Sequence, residues 1–266
     1  MIFKTLVSGV IREAIAKKIF IGFFILATMI ILGFLIFISS EAVDGIATTA
    51  GDEVKLLVIR FEAFMLGVSF LLLITFCLIG VSSFIPSMLE KGNIDLLLSK
   101  PVSRSEIILA KFTGGTLLIF GSLVYLIGSV WLITSIKFGY WNPAFLSSII
   151  ILTFSFAVIY SLVIFIGITT QSTILAIIIN VFLIFLICPV LAGREFGLFQ
   201  FITNDVVKFI INFFYYILPK PNDLQSMSIK ITSGEKIESW QPVITSALFL
   251  ITFLSASIYL FKKKDY

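Results

Sequence analysis

The chain has 266 residues, of which 59% are hydrophobic and only 13% charged, and its mean hydropathy is +1.14. Soluble domains are about half apolar and about a quarter charged, so this composition indicates an integral membrane protein. The sequence contains no histidine, which excludes histidine-based zinc sites, Ser-His-Asp triads and histidine proton relays. The basic residues behind the net charge of +4 lie at the ends of apolar runs, where they set membrane topology, so no nucleic-acid partner is expected.

The first predicted element is an amphipathic helix ahead of the first apolar run. Its apolar positions recur at helical spacing, and its polar positions take the opposite face. The apolar set is Phe3, Leu6, Val7, Val10, Ile11 and Ala14, and the polar set is Lys4, Ser8, Arg12 and Glu13. Such a helix fits the interface plane of the inner leaflet. A basic leader that only sets topology is equally compatible with the pattern.

Six apolar runs are long enough to cross a bilayer, which takes about 20 helical residues. They lie at residues 19–39, 61–85, 104–134, 144–169, 173–192 and 242–261. Residues 170–172 alone separate the fourth run from the fifth, which predicts a tight helical hairpin. Basic residues outnumber acidic ones in the segments on the side of the N-terminus, so both termini are predicted to be cytoplasmic. The expected fold class is an all-α integral membrane protein with six transmembrane helices in a single domain, residues 1–266.

The most charged stretch between two apolar runs reads EKGNIDLLLSKPVSRSEIILAKF, residues 90–112, and it overlaps the cytoplasmic loop predicted at 87–105. Asn93 can cap a short helix at 94–99 that Pro101 ends. Ser103 and Glu106 have the spacing of a capping box at the start of the third span. The short helix carries leucines within a charged rim, which is typical of a docking surface. For a generic inner loop, a helix lying against the lipid headgroups is the commoner arrangement.

The predicted spans are nearly free of charge, which disfavours an ion-coupled transporter and an intramembrane enzyme. Glu62 is expected at the outer edge of the second span, and Lys111 near the inner end of the third, where its ammonium can snorkel to water. Asn180 is the most central polar residue, and it could bond across a helix interface or line a translocation path. Glycines of the third span could allow close helix approach; they are Gly114, Gly115, Gly121 and Gly128.

The outer loop at 193–241 is long for a simple connection. Residues 203–205 can cap a helix whose apolar stripe is Val206, Phe209, Ile210, Phe213 and Ile217. Pro219 and Pro221 are expected to stop it. Because it is too short to span, we predict a re-entrant or surface-lying helix, followed by an exposed polar connection at 224–239.

Residues 90–112 resemble the cytoplasmic loop of ABC-2-type transporter permeases, and look most like the branch that includes the permease of the nitrous-oxide reductase maturation system. In that branch a charged Gly turn, an acidic-triple-leucine helix, a Pro-Val-Ser-Arg turn and a Lys-containing helix start follow in this order. Here they read Glu90-Lys91-Gly92, Asp95-Leu96-Leu97-Leu98, Pro101-Val102-Ser103-Arg104 and Lys111-Phe112. The six spans, the leading amphipathic helix and the long outer segment are also similar to that family.

The resemblance implies a permease in the prokaryotic plasma membrane that forms a dimer, most simply with a second copy of itself. A cytosolic ABC ATPase subunit would bind the coupling helix, and an extracytoplasmic partner is possible in this family. The docking residues implied are Glu90, Lys91, Gly92, Asp95, Leu96, Leu97, Leu98, Pro101, Ser103, Arg104 and Glu106.

The chain lacks the G-x-x-x-x-G-K-[ST] motif, so ATP and Mg²⁺ are expected on the partner, and this chain is expected to be no enzyme and to hold no metal or cofactor of its own. The expected function is the membrane subunit of an ATP-driven exporter of the ABC-2 type. A non-transporting membrane scaffold for a protein assembly is the alternative.

Overall fold

The structure is a computed structural model that describes residues 2–16, 18–39, 52–90, 92–93, 102–195 and 197–264. Within these ranges the fold is all-α, without strands. The helices are α1 (Ile2–Ala16), α2 (Ile19–Ile38), α3 (Asp52–Ser82), α4 (Phe84–Leu89), α5 (Arg104–Phe138), α6 (Pro143–Thr170), α7 (Thr173–Phe182), α8 (Cys188–Ala192), α9 (Leu198–Phe201), α10 (Asp205–Ile217), α11 (Pro221–Thr232) and α12 (Gln241–Lys263).

Several of the described helices are long and apolar enough to cross a membrane. There are five such segments, at Ile21–Ile38, Arg104–Phe138, Pro143–Thr170, Thr173–Ala192 and Gln241–Lys263. They coincide with five of the six predicted spans. The remaining predicted span, 61–85, falls on the 31-residue helix α3, which is not among the five. The chain is thus compatible with a membrane-spanning bundle, while the six-span count and the orientation stay predictions.

The polypeptide bends at Ser83, where α3 stops and the short helix α4 begins. Pro86 does not mark this bend, since it is the third residue of α4. Proline is tolerated in a first helical turn because the N–H groups there have no intrahelical acceptor. The chain therefore turns one helical turn earlier than predicted.

The predicted hairpin of the fourth and fifth spans is present between α6 and α7. Gln171 ends α6 in the left-handed conformation with φ 53°, and its N–H donates to the carbonyl of Gly167. Ser172 then caps α7 by accepting from the N–H of Leu175 at 3.3 Å. Further along, residues Leu183–Ile187 form a π-helical turn between α7 and α8. That turn lies just ahead of Pro189, which has no N–H to continue an α-helical ladder.

The predicted outer helix is confirmed as α10, with Asn204 as its cap. The stretch after it is not the exposed connection that we predicted, because residues Pro221–Thr232 form α11, which packs against α6 and α3. Leu224, Met227 and Ser228 face the bundle and are buried. Helix α10 ends at Ile217, ahead of Pro219 and Pro221 as predicted, and Pro221 also occupies the first position of α11, where proline is favoured.

Helix α6 lies at the centre of the bundle and packs against α5, α11 and α12. We call the end that holds α1, the start of α5 and the end of α12 the inner end, after its predicted orientation. The outer end holds α10, the start of α6 and the end of α11. These two ends carry the polar contacts described below.

Candidate functional site

The described flanks of the predicted coupling loop form ordered turns. After α4 the exposed Glu90 is extended, and Gly92 has φ 92°, a conformation that favours glycine. The side-chain amide of Asn93 donates to the carbonyl of Ser87 at 2.9 Å. The core of the predicted docking set lies outside the described residues; it comprises Lys91, Asp95, Leu96, Leu97, Leu98 and Pro101. The coupling helix itself therefore stays a prediction.

On the far side of the loop, α5 begins with the predicted capping box. The N–H of Ser103 donates to Oε2 of Glu106 at 2.9 Å, and the N–H of Glu106 donates to Oγ of Ser103 at 3.2 Å. Each side chain satisfies a backbone donor that would otherwise lack an intrahelical partner. The chain thus returns from the loop into a firmly capped helix.

Arg104, another residue of the predicted docking set, contacts the chain's own last helix. Its Nη1 lies 3.3, 3.2 and 2.5 Å from the carbonyl oxygens of Phe261, Lys262 and Lys264. Nζ of Lys264 in turn donates to the carbonyl of Ile168 at 2.6 Å. Cationic donors suit these positions because the last carbonyls of a helix lack partners and carry negative partial charge. The start of α5 and the ends of α12 and α6 are tied together in this way.

Deeper at the inner end, an ion pair joins α1 to α5. The prediction that Lys111 snorkels to water was wrong, because Lys111 is only 8% exposed and its ammonium pairs with the carboxylate of Glu13. Oγ of Ser87 on α4 lies 3.4 Å from the second carboxylate oxygen of Glu13. The ammonium also lies 5.5 Å from the ring centroid of Phe84. We call Glu13, Ser87 and Lys111 the inner polar cluster; it connects α1 with both flanks of the loop.

Two predicted glycines permit the close packing around this cluster. A Cβ at Gly114 would lie 2.8 Å from Cβ of Val10 on α1, and a Cβ at Gly115 would lie 2.5 Å from Cε1 of Tyr160 on α6. Tyr160 is fully buried and donates from its hydroxyl to the carbonyl of Lys111 at 3.2 Å. Gly114 and Gly115 therefore lie at helix interfaces within the chain, on two sides of α5.

Asn180 is buried, but its amide does not bond across a helix interface. Nδ2 donates to the carbonyl of Ala176, one turn earlier on α7, at 2.8 Å. Its Oδ1 has no hydrogen-bond partner within the ranges that the structure describes. Asn180 thus presents a buried acceptor in the middle of the predicted fifth span.

Sequence reasoning missed a group of buried cations at the outer end. The guanidinium carbon of Arg194 lies 3.4 Å from the ring centroid of Tyr215, and Nζ of Lys220 lies 4.3 Å from the same centroid. The hydroxyl of Tyr215 donates to Asp223 at 2.7 Å, and Nζ of Lys220 lies 2.8 Å from Oγ1 of Thr245. Burial lowers the pKa of Lys220 to about 8 and raises the pKa of Tyr215. No spacing in the sequence brings these residues together, since they come from four segments.

The described ranges contain no group of three or more Cys, Asp or Glu side chains that could hold a metal ion. No protein with a curated description matches the chain. A family model described as a protein of unknown function (DUF2705) matches residues 50–266, which include both flanks of the loop, so the chain belongs to the DUF2705 family.

Proposed function

We propose that this chain is the membrane-spanning permease subunit of an ATP-driven transporter of the ABC-2 exporter type. A separate cytosolic ATPase binds the loop at 87–105, and a second permease copy completes the assembly. The observation that carries the proposal is that hydrogen bonds and an ion pair anchor both flanks of the loop. Both of its flanks are bonded to other helices of the bundle. The inner polar cluster joins them to α1, and Arg104 joins the start of α5 to the end of α12.

A loop anchored in this way is suited to receive force from a bound partner. A free surface loop needs only a turn at each end, and its contacts would be local. Here α4 contacts Glu13 through Ser87, and α5 contacts the same carboxylate through Lys111. A displacement of the loop would therefore move α1, α4 and the start of α5 together, as a rigid body.

The packing of α5 on α6 extends this connection into the bundle. The ring of Tyr160 occupies the space that Gly115 leaves open, and its hydroxyl holds the carbonyl of Lys111. Close packing of this kind transmits small displacements because buried side chains have few alternative arrangements. Movement of α5 would then tilt α6, the central helix.

The charge content of the spans bears on the class of cargo. Helices α2, α6 and α7 contain no charged residue. Spans without charge suit a lipid-like or otherwise apolar cargo, and they also suit force transmission to a partner on the outer side.

Photocrosslinking tests the docking step. A photoreactive amino acid at position 97 of the full chain should capture an ATPase that carries the G-x-x-x-x-G-K-[ST] motif, whereas the same probe at position 201 should not. Phe201 is the matched control because it is a large apolar residue of the outer segment, 87% exposed. Capture from position 201 alone would contradict the proposed orientation.

Reconstitution with the captured ATPase tests coupling. Leu97→Arg should weaken binding by about tenfold, as expected for a buried anchor of an interface, and should abolish any change that the permease makes in ATPase activity. Phe201→Arg should leave both unchanged. A non-transporting scaffold would bind the ATPase without altering its turnover, so an unchanged turnover with the wild-type chain would favour that alternative.

A further inference from the structure

Glu62 is a carboxylate buried where the outer ends of three helices meet. It lies on α3 and is 0% exposed to solvent. The prediction that placed it at the outer edge of the second span did not include this burial. The side-chain amide of Asn142, at the start of α6, donates to its Oε2 at 2.7 Å. The same nitrogen lies 3.1 Å from the carbonyl of Thr232, the last residue of α11. Glu62 thus takes part in a contact shared by α3, α6 and α11.

The second carboxylate oxygen lacks a donor among the described residues. Oε1 of Glu62 is inaccessible to solvent and has no hydrogen-bond partner in the part of the chain that the structure describes. The side-chain amide of Asn142 cannot supply another proton, since its N–H groups already serve Glu62 and the carbonyl of Thr232. One neutral amide is therefore the only hydrogen-bond donor that the described residues offer to this carboxylate.

The cations on neighbouring helices are engaged elsewhere. Lys137 of α5 donates to the carbonyl of Ile38, and Lys230 of α11 pairs with Glu238 at 2.7 Å. The other charged groups of these two helices are also committed. Arg104, Glu106 and Lys111 of α5 lie at the inner end, and Asp223 of α11 accepts from Tyr215.

The remaining described helices around α3 supply no cation for Glu62 either. On α3, Lys55 lies 5.8 Å from the ring centroid of Tyr140, and Arg60 and Glu53 are exposed. Helices α2, α4, α6 and α7 contain no charged residue. Residues 40–51, which precede α3 in the sequence, contain no Lys or Arg.

An ionised carboxylate in this position would be desolvated without a compensating charge, whereas a neutral carboxylic acid would lack only one hydrogen bond. The first cost is much the larger. The carboxylate is therefore favourable here only when a small cation neutralises it. A proton does so and needs no ligand beyond the carboxylate itself. We propose that Glu62 is a proton-binding site, which holds α3, α6 and α11 together when the proton is bound.

The proton exchanges with the aqueous phase on the outer side. Asn142 follows the connection between α5 and α6, and Thr232 precedes the polar connection between α11 and α12, so both partners in this contact lie at the outer ends of their helices. Alkaline pH on this side would remove the proton, place a charge in the contact and release the end of α11. This inference does not depend on the transport function proposed above.

Infrared difference spectroscopy of the full chain in nanodiscs detects the proton directly. Between neutral and alkaline pH, the wild-type protein should lose a carbonyl-stretch band of a protonated carboxylic acid. Glu62→Gln should lack this band, and Glu53→Gln, which alters an exposed carboxylate of the same helix, should keep it. Absence of the band in the wild type at neutral pH, or its persistence in E62Q, would overturn the proposal. A carboxylate signal that responds to Na⁺ at constant pH would overturn it in favour of a metal cation.

Hydrogen exchange tests the consequence for packing. At alkaline pH the amides of α11 should exchange at least about tenfold faster in the wild type than in E62Q, because only the wild type gains a buried charge. Equal exchange rates in the two proteins would contradict the proposal that the bound proton holds α3, α6 and α11 together. If E62Q does not fold, Asn142→Ala provides the second test: removal of the one donor to the carboxylate should keep the acid band present to higher pH. An unchanged pH dependence in N142A would count against the site.

Discussion

The ammonium of Lys111 and the carboxylate of Glu13 form an ion pair in which the lysine side chain is 10% exposed and the glutamate side chain 28% exposed. The pair joins the amphipathic helix α1 to α5, so α1 is bonded to the bundle in addition to any contact with lipid. Val10 and Ala14, on the apolar face of α1, are buried as well. Helix α1 is thus part of the inner end of the bundle and not only a leader.

Glu13→Gln should destabilise the protein by about 2 kcal/mol, because the buried ammonium loses its charged partner; full burial of both groups would make the loss larger. Lys111→Met in the E13Q background should recover part of that loss, since an apolar side chain of similar length needs no counter-charge. The free energy of unfolding in a reversible detergent titration measures both effects. Arg12→Gln, at an exposed position of α1, is the control and should be neutral. Strictly additive effects of the two changes would contradict a direct pair.

Gly115→Ala should cost about 1–3 kcal/mol, because the new methyl group would overlap the ring of the fully buried Tyr160. Gly121→Ala on the same helix is the matched control. A Cβ there meets nothing within 4 Å in the described structure, and alanine favours the helix more than glycine does. Thermal unfolding in nanodiscs should therefore show a lower midpoint for G115A and an unchanged or higher one for G121A. Equal midpoints would mean that α5 and α6 can separate without loss.

Arg104→Gln should loosen the end of α12, because the guanidinium holds the carbonyls that have no intrahelical donor. A charged hydrogen bond of this kind contributes about 1.5–3 kcal/mol, so amide exchange near residues 258–264 should become at least about tenfold faster. Lys262→Gln is the control, since Lys262 is exposed and only its backbone carbonyl takes part in the contact. Unchanged protection in R104Q would free this residue for the docking role implied by the resemblance.

Local signals in the sequence were sufficient for much of the fold. The capping box of Ser103 and Glu106 and the Asn204 cap of α10 were predicted correctly because caps act on neighbouring backbone groups. The hairpin at Gln171 and Ser172 was predicted for a similar reason, since two long apolar runs leave only three residues to turn.

Features that depend on contacts between distant segments could not be predicted. Lys111 was expected to snorkel, because nothing in the sequence pairs it with Glu13, 98 residues away. Helix α11 was missed because its buried positions include Ser228 and Thr232, whose composition resembles that of a polar connection. The burial of Glu62 likewise depends on Asn142 and on the end of α11.

Burial lowers the pKa of the Lys220 ammonium from 10.5 to about 8. The unfolded chain therefore binds this proton more tightly than the folded protein does, and stability should rise with pH between about 8 and 10.5. The rise should amount to about 1–2 kcal/mol, because the group keeps some contact with its tyrosine and hydroxyl partners. Unfolding titrations of the wild type and Lys220→Met across this window measure the difference.

Lys220→Met should lack that rise, since methionine does not titrate, while Lys236→Met, at an exposed position of the following connection, should keep it. The sign is diagnostic: a lysine stabilised in its charged form by a carboxylate would instead lose stability as pH rises. A wild-type curve that falls relative to K220M would thus show that Asp223 dominates over desolvation. A curve that rises would show that desolvation of the ammonium outweighs its contacts with the rings of Tyr215 and Tyr216 and with Thr245.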